Sequence, residues 1–428
     1  MRNIYKYKIK STDDLINKLL SKSKNIECLS ILLSNNKKKN KLPKEYINYD
    51  MIVGIDSLYK LSCNLNSFDE LTRFHNTYSD WMFGYLSYDL KNEIEDLSSD
   101  NYDGIELNQL TFFIPRYVFL LLKNELQVLS FESKEKVDLF LASLNNIHFS
   151  NTQSVILKPR EEKEKYISKI AKIKQHIQRG DIYEMNYCME YFSEDILLDF
   201  EELFFNLNQF NSNPFAAFLH LDHHYVACAS PERFIKKIKN NIICQPIKGT
   251  IRRGNDFAED IKLFKRLKNS QKDIAENIMI TDLIRNDLSI TALKSSVSVE
   301  ELCEVYAFNK VHQMISTITS KVAEKVHFVE LLKSVFPMGS MTGAPKLRAM
   351  QLIDKYEHFK RGLFSGSIGY ITPNGDFDFN VVIRSVIYNL KKRYLSVGVG
   401  GAITIQSEPE KEYEECLVKI KPIIEILK

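Results

Sequence analysis

No run of about eighteen apolar residues occurs in this chain of 428, so it offers no helix long enough to cross a bilayer. Its start, Met1-Arg2-Asn3-Ile4-Tyr5-Lys6, lacks the apolar stretch of a secretory signal, and a cytoplasmic protein is expected. Charge of one sign is not in excess either. Lys and Arg number 58 against 55 Asp and Glu, and a formal net charge of +3 on a surface of this size gives no argument for nucleic-acid or membrane partners. The basic cluster Lys37-Lys38-Lys39-Asn40-Lys41, followed by Leu42-Pro43, has none of the interleaved aromatics of a single-strand groove and reads as a solvated loop. Cysteine is sparse: Cys28, Cys63, Cys188, Cys228, Cys244, Cys303 and Cys416 are odd in number, without close pairs and among apolar neighbours, so reduced core residues are expected rather than a disulfide framework. No internal repeat of fixed period is present. His220, His223 and His224 fall at an expected hairpin turn without a fourth zinc ligand at the right spacing. Gly339 to Lys346 lacks both the spacing of a phosphate loop and the Ser or Thr after its lysine.

What is present is ordinary for a globular protein, 44% hydrophobic and 26% charged, at a length that suggests two to three domains. Residues 1–155 alternate short apolar runs, such as Ile31-Leu32-Leu33 and Tyr117 to Leu122, with polar turns, and predict a strand-rich region with few helices. The charged run Lys158 to Lys165 marks the boundary with residues 156–428. It opens a helix whose Tyr166, Ile167, Ile170, Ile173 and Ile177 share one face and which Gly180 stops. A hairpin from Pro214 to Phe234, a helix from about Asp256 to Ser289, another after Pro345 and a last one from Pro409 follow. The turns Pro373 to Asp376 and Lys391 to Arg393 separate the final strands. Antiparallel strands mixed with helices make the class α+β.

Several groups in this half carry chemistry. Lys248 lies in the apolar segment Ile242 to Ile251, and burial there would disfavour its charged form and favour a nucleophilic amine. Gly249 directly after it lets the backbone approach a bound molecule. Taken alone the segment reads more readily as a surface lysine on an edge strand, since lysines are rarely buried unpaired. Asp273 and Glu276, and likewise Glu412 and Glu415, are spaced three apart on expected helices, so each pair projects from one face. Two such faces could offer up to four carboxylates to one hard cation, although solvated helices carry such pairs as well. Arg384 follows an alternating strand and offers a planar fork to a carboxylate. Gly398, Gly400 and Gly401 free main-chain N–H groups for an anion, and Thr250 adds a hydroxyl.

Pro246-Ile247-Lys248-Gly249-Thr250 with Arg252-Arg253-Gly254 resembles the signature of the chorismate-utilising enzymes. Further segments agree in order: Gly180 to Asn186, Ser230-Pro231-Glu232-Arg233-Phe234, Ala275 to Met279, Asp282 to Asp287, Met341-Thr342-Gly343-Ala344-Pro345-Lys346, Phe364 to Tyr370, Asp378 to Arg384, and Val397 to Ala402. Phe83 to Leu90 resembles the family's N-terminal region. Lysine at 248, where anthranilate synthases carry alanine, points to the aminodeoxychorismate synthase component I branch. The resemblance implies a layered sandwich of two large, mainly antiparallel sheets with helices outside, the N-terminal part included, and a cleft between the sheets. It implies chorismate as substrate and Mg²⁺ as cofactor, held by Glu276 and Glu415 with Glu412 and Asp273. Lys248 and Glu276 are the implied catalytic residues, and Gly249, Thr250, Thr342, Tyr370, Arg384, Gly398, Gly400 and Gly401 bind substrate, Arg384 and Tyr370 at the enolpyruvyl carboxylate. Gln313 stands where many members have histidine. Glu184 stands where isochorismate and salicylate synthases place a water-activating lysine. Leu32-Leu33-Ser34 only partly matches the tryptophan-binding element of anthranilate synthases. None of the seven cysteines has the Gly-x-Cys-x-Gly surroundings of an amidotransferase nucleophile, so ammonia is expected from a separate glutamine amidotransferase subunit. The competing readings are anthranilate synthase component I and a non-catalytic chorismate-binding regulatory protein, and Lys248 separates both from the favoured one.

Overall fold

The computed structural model describes residues 1–35, 48–145 and 154–428; the basic cluster Lys37 to Lys41 and the Leu42-Pro43 after it lie outside the described residues. Two sheets share the long strands Met51–Cys63 and Leu110–Leu122. One sheet runs from Asn3–Lys8 and Glu125–Ser130 through these two to Cys28–Leu33, Phe215–Leu221, His224–Ser230, Ser385–Asn389, Tyr394–Ile403 and Glu184–Ser193. The other continues from the first half of Leu110–Leu122 to Met82–Leu86, Ser367–Ile371, Phe377–Asn380, Arg233–Ile238, Asn241–Gln245 and Val311–Lys321, with Ile247–Arg252 and Ser298–Ala307 both paired to this last strand. Every one of these ladders is antiparallel, and the α+β sandwich is as expected.

Strand alternation explains the layers. Along Cys28–Leu33, Leu29, Ile31 and Leu33 join an outer core with the helices Thr12–Ser23, Phe200–Asn211 and Pro409–Leu427, while Cys28 faces an inner core shared with Phe234, Ile242, Ile368 and Phe379 of the second sheet. Each aliphatic side chain so buried contributes roughly 1.5–3 kcal/mol, which is why these strands are apolar on both faces. The helix Lys163–Gln178 buries Tyr166, Ile170 and Ile173 on the outer layer, with Ile167 and Ile177 half-buried.

Two local expectations change. Residues 1–155 are strand-rich but also carry the helices Thr12–Ser23, Ser67–Tyr78, Lys91–Ile94 and Lys134–Ala142. The single helix expected from Asp256 to Ser289 is two, Phe257–Lys268 and Gln271–Ser289, because the Ser270 side chain accepts from Asp273 N–H and starts a new helix. Strands from either side of position 155 pair directly, Cys28–Leu33 with Phe215–Leu221 and Met82–Leu86 with Ser367–Ile371, and both cores draw on both sides.

Candidate active site

Lys248 lies on Ile247–Arg252, where the register against Val311–Lys321 slips between Ile247 and Thr250. Gly249 sits in that slip at φ +91°, and a Cβ there would stand 2.9 Å from Asp273 Cβ. Glycine therefore lets Gln271–Ser289 lie close against the strand. Asn277 pins this helix, donating to the Met314 carbonyl at 3.3 Å and bonding Ser316 Oγ, so that Glu276 one residue earlier turns toward Lys248.

The Lys248 side chain is buried, but carboxylates rather than aliphatic side chains face its ammonium. Its Nζ is 3.7 Å from Glu184 Oε1. Glu184 is 0% exposed and neither of its oxygens has a hydrogen-bond partner among the described residues. Glu232, on the turn between His224–Ser230 and Arg233–Ile238, is pushed up to about 7 by burial, against a hydrogen bond from Ser340 and the charges of Lys248 and Arg384. Burial also pushes Glu276 up to about 7, with Lys248 and Lys272 opposing and Glu184 and Asp273 adding to the rise. The expectation that apolar neighbours free the amine is thus corrected: the strand's aliphatic residues enter the packing on either side, and the lysine tip extends past them to acids from three other segments.

Arg384 has left-handed backbone, φ +51°, a conformation that costs a non-glycine residue about 1–3 kcal/mol and marks an over-determined position. Its guanidinium makes no hydrogen bond or ion pair among the described residues; burial lowers its pKa and Glu232 opposes that shift. A half-buried, unpaired guanidinium is a ready carboxylate receptor. On Tyr394–Ile403, Gly400 offers its carbonyl to Lys419 Nζ at 2.7 Å, so the backbone polar groups of this residue point away from Glu184–Ser193. A Cβ at Gly398 would meet the Phe364 ring at 2.4 Å and one at Gly400 the Tyr187 carbonyl at 2.3 Å, whereas Gly401 faces Glu412, Lys419 and Glu415 at 3.5 to 3.7 Å.

Two expected substrate contacts are displaced. Tyr370 stacks on Trp81 at 5.8 Å and lines a separate cavity with Leu33, Tyr49, Phe215, Arg233 and Asp378, whereas Phe364, in the same inner core, is the aromatic residue against Gly398. Thr342 is 0% exposed and donates its hydroxyl to the Met338 carbonyl at 3.2 Å, closing a tight turn. Thr250 is exposed opposite Gln313.

The four acidic residues do not form a ready cation cage: among the described residues no three His, Cys, Asp or Glu side chains are placed to hold one metal ion. Lys272 Nζ lies 3.5 Å from Glu412 and 3.9 Å from Glu276, Lys419 holds Glu415 at 2.7 Å, and Asp273 packs against Gly249. Burial alone would raise Glu415, but the Lys419 charge and hydrogen bond keep it below the usual range. Ammonium groups neutralise the two helix faces. Glu276 Oε1 is nevertheless buried without a hydrogen-bond partner among the described residues, Lys272 at 3.9 Å being an ion-pair contact only, and Glu412 is buried.

Gln313 is buried, its Oε1 without a hydrogen-bond partner among the described residues, and His312, on the opposite face of the strand, is held by Asp260 at 2.8 Å. Sequence reasoning gave no role to Glu232, Lys272 or Lys419. The signal for Glu232 was its place after Pro231 inside a family motif; Lys272 and Lys419 offered none, since lysines on acidic helices are commonplace.

A family profile described as "chorismate binding enzyme" matches residues 35–425. The aminodeoxychorismate synthase component 1 of Escherichia coli K12 is 36% identical over 348 residues, 80% of this chain and 76% of that protein. The chloroplastic aminodeoxychorismate synthase of Arabidopsis thaliana is 41% identical over 266 residues, 61% of this chain and 29% of that longer protein. Among solved structures, anthranilate synthase component I from Streptococcus pneumoniae TIGR4 superposes with a TM-score of 0.78 at 23% identity, covering 87% of this chain and 91% of that one, a likeness of fold.

Proposed function

Since this chain belongs to the chorismate-binding enzymes, we propose that it aminates chorismate at C4, giving 4-amino-4-deoxychorismate for p-aminobenzoate and folate synthesis. The observation that carries this reading is Lys248, buried and faced by acids that can manage its proton, at the position where the family resemblance gives anthranilate synthases alanine. Arg384 binds one substrate carboxylate with its unpaired fork. Lys248 attacks C2, the ring double bond shifts, and the C4 hydroxyl leaves as water with a proton from Glu232, which at about 7 is a competent acid near neutral pH. Ammonia then attacks C4, expels the lysine and returns a proton to Glu232. Two displacements replace one difficult substitution and retain configuration. Gln313 cannot ionise, so a buried carboxylate takes the part of the family's histidine.

Glu276 and Glu412, with Glu415 beside them, would hold Mg²⁺; Lys272 lies between Glu276 and Glu412, so the two carboxylates already face a common cation position, and their oxygens suit a hard cation. When bound, that ion supplies positive charge for a ring carboxylate. Gly398 and Gly400 flank the same region, and Gly249 and Thr250 border Lys248.

Ammonia comes from a separate glutaminase subunit. Burial pushes Cys28, Cys188 and Cys228 up to about 12, and Cys416 to about 11, the opposite of an activated thiolate. Among the described residues no helix is long and apolar enough to cross a membrane, and a cytoplasmic location suits the reading. The test is to incubate the chain with chorismate, Mg²⁺ and ammonium at alkaline pH and separate the products by chromatography. Aminodeoxychorismate is expected; anthranilate, or binding without turnover, would overturn the proposal.

A further inference from the structure

Arg361 and Glu357 form an ion pair inside the protein, each side chain 1% exposed and their nitrogen and oxygen 2.5 Å apart. Such a pair is an undependable source of stability, since two apolar side chains of the same volume often serve a core as well. What apolar side chains could not do is hold backbone groups on other segments. The five N–H groups of Arg361 have five acceptors: both Glu357 oxygens at 2.9 and 2.5 Å, the Met341 carbonyl at 2.7 Å, the Asn186 carbonyl at 3.0 Å and Ser365 Oγ at 3.4 Å. Glu357 in turn accepts from Cys188 N–H at 2.8 Å. Beyond its two-residue pairing with Gly343–Ala344, the edge of Glu184–Ser193 thus takes from this ion pair the hydrogen bonds that a neighbouring strand would supply. Asn186 adds to the hold, its backbone N–H donating to the Thr342 carbonyl at 2.7 Å and its Nδ2 to the Ser340 carbonyl at 2.5 Å. The carbonyls of residues 340, 341 and 342 are therefore all tied to Asn186 or Arg361, although the segment is only the single turn Gly339–Met341 and the residue after it. The Ser340 hydroxyl, on that turn, donates to Glu232. The charged groups facing Glu232 are Lys248 and Arg384; Arg233 and Asp287 line a small cavity beside it and are held by Asp378 at 2.9 Å and Lys346 at 2.6 Å.

We propose that Arg361 and Asn186 are positioning residues for Glu232, fixing the segment 340–342 so that the Ser340 hydroxyl stays on that carboxyl. This inference rests on the reading of Glu232 as the acid of the aminating reaction and adds the residues that set its strength. A hydroxyl donating to a carboxylate favours the ionised form, and it does so only while the two oxygens stay within hydrogen-bond reach. Ser340 has no long element of its own to keep it there; its place is decided by the two carbonyls that Asn186 and Arg361 grip on either side of its own peptide unit. With the grip released, burial acts on Glu232 without the opposing hydroxyl. The carboxyl then keeps its proton to higher pH and is a weaker acid toward a departing hydroxyl. Lys248, Arg384, Arg233 and Asp287 are unchanged by such a release, so the effect is confined to what Ser340 contributes.

The experiment reads the ionisation of Glu232 in the full chain without substrate, as the difference in urea midpoint between each chain and its Glu232→Gln counterpart across pH. In the wild type this difference stops growing at about 7. Ser340→Ala should move that end point up by about one pH unit, the worth of a hydrogen bond to a charged group. Arg361→Lys keeps a charge for Glu357 and gives up the fork; it should move the end point the same way, and Arg361→Lys with Ser340→Ala should move it no further than Ser340→Ala alone. An Arg361→Lys chain that is less stable at every pH with its end point unmoved, or one whose shift adds to that of Ser340→Ala, overturns the proposal. If Arg361→Lys does not fold, Asn186→Ala carries the same comparison, and an unmoved end point there overturns the proposal equally. In turnover of chorismate with ammonia, the shifted variants should lose kcat on the order of 10-fold with KM little changed. A shifted end point with unchanged kcat overturns the reading of Glu232 as the acid and the catalytic role drawn from it. An unshifted end point overturns the positioning alone and leaves the aminating function standing.

Discussion

Replacing Glu232 by glutamine should cost activity and raise stability, and the structure gives the size and pH window of the gain. Burial lifts this carboxyl from its ordinary 4.5 to about 7, the Ser340 hydrogen bond and the charges of Lys248 and Arg384 offsetting part of the rise. At 1.36 kcal/mol per pKa unit the folded chain forgoes about 3 kcal/mol once Glu232 is ionised. The direction follows from proton counting. Below pH 4.5 both folded and unfolded chains carry the proton, and there is no penalty. Between 4.5 and about 7 the unfolded chain releases it while the folded chain retains it, so stability falls as pH rises; above about 7 the loss is complete and constant. Glutamine mimics the protonated acid and escapes this loss, while its amide oxygen can still accept from Ser340. Urea unfolding should therefore give equal midpoints for wild type and Glu232→Gln in acid, a difference that opens across the window, and a plateau of about 3 kcal/mol in alkali, a large share of a typical net stability of about 5–15 kcal/mol. Equal midpoints in alkali would refute the account of Glu232 as a strained acid. A difference that persists unchanged into acid would show that the substitution acts through packing and not through ionisation.

Lys248→Ala should slow ammonia-dependent formation of aminodeoxychorismate on the order of 10²-fold or more, about 2.7 kcal/mol of barrier, with chorismate binding little changed; steady-state rates beside equilibrium binding check this, and wild-type turnover by the variant would exclude a covalent lysine. Glu276→Gln and Glu415→Gln should each raise the Mg²⁺ needed for half-maximal rate, whereas Asp273→Asn, at a residue packed on Gly249, should do so less; unchanged Mg²⁺ titrations for both glutamine variants would misplace the metal. The isolated chain should work better with ammonium as pH rises toward free ammonia, and should not use glutamine until a glutaminase is added; glutamine hydrolysis by the purified chain would disprove the separate subunit.

Local order was legible from residues alone. Hydrophobic spacing placed the helix at 163–178 and the hairpin around His223, and the capping and turn residues near Pro409 and Asn374 marked real ends, because these patterns depend on neighbours within a few positions. The ordered motifs identified the family and singled out Lys248 and Arg384. Ser270 was readable as a helix start and was missed, since the apolar pattern runs on across it.

Side-chain direction and company were not legible. Tyr370 and Phe364 lie in the same motif and both enter the inner core, yet the tyrosine stacks on Trp81 while the phenylalanine meets Gly398. Thr342 carries a useful hydroxyl in any linear reading, and a tight turn consumes it. The acids at 184, 232 and 276 meet at Lys248 only because two sheets and a helix fold three distant segments onto one strand. Composition and period are local properties of the chain and fix which elements form. The field at a buried ammonium, and hence which acid holds a proton, is a sum over groups that only the packed fold brings within a few ångströms of one another.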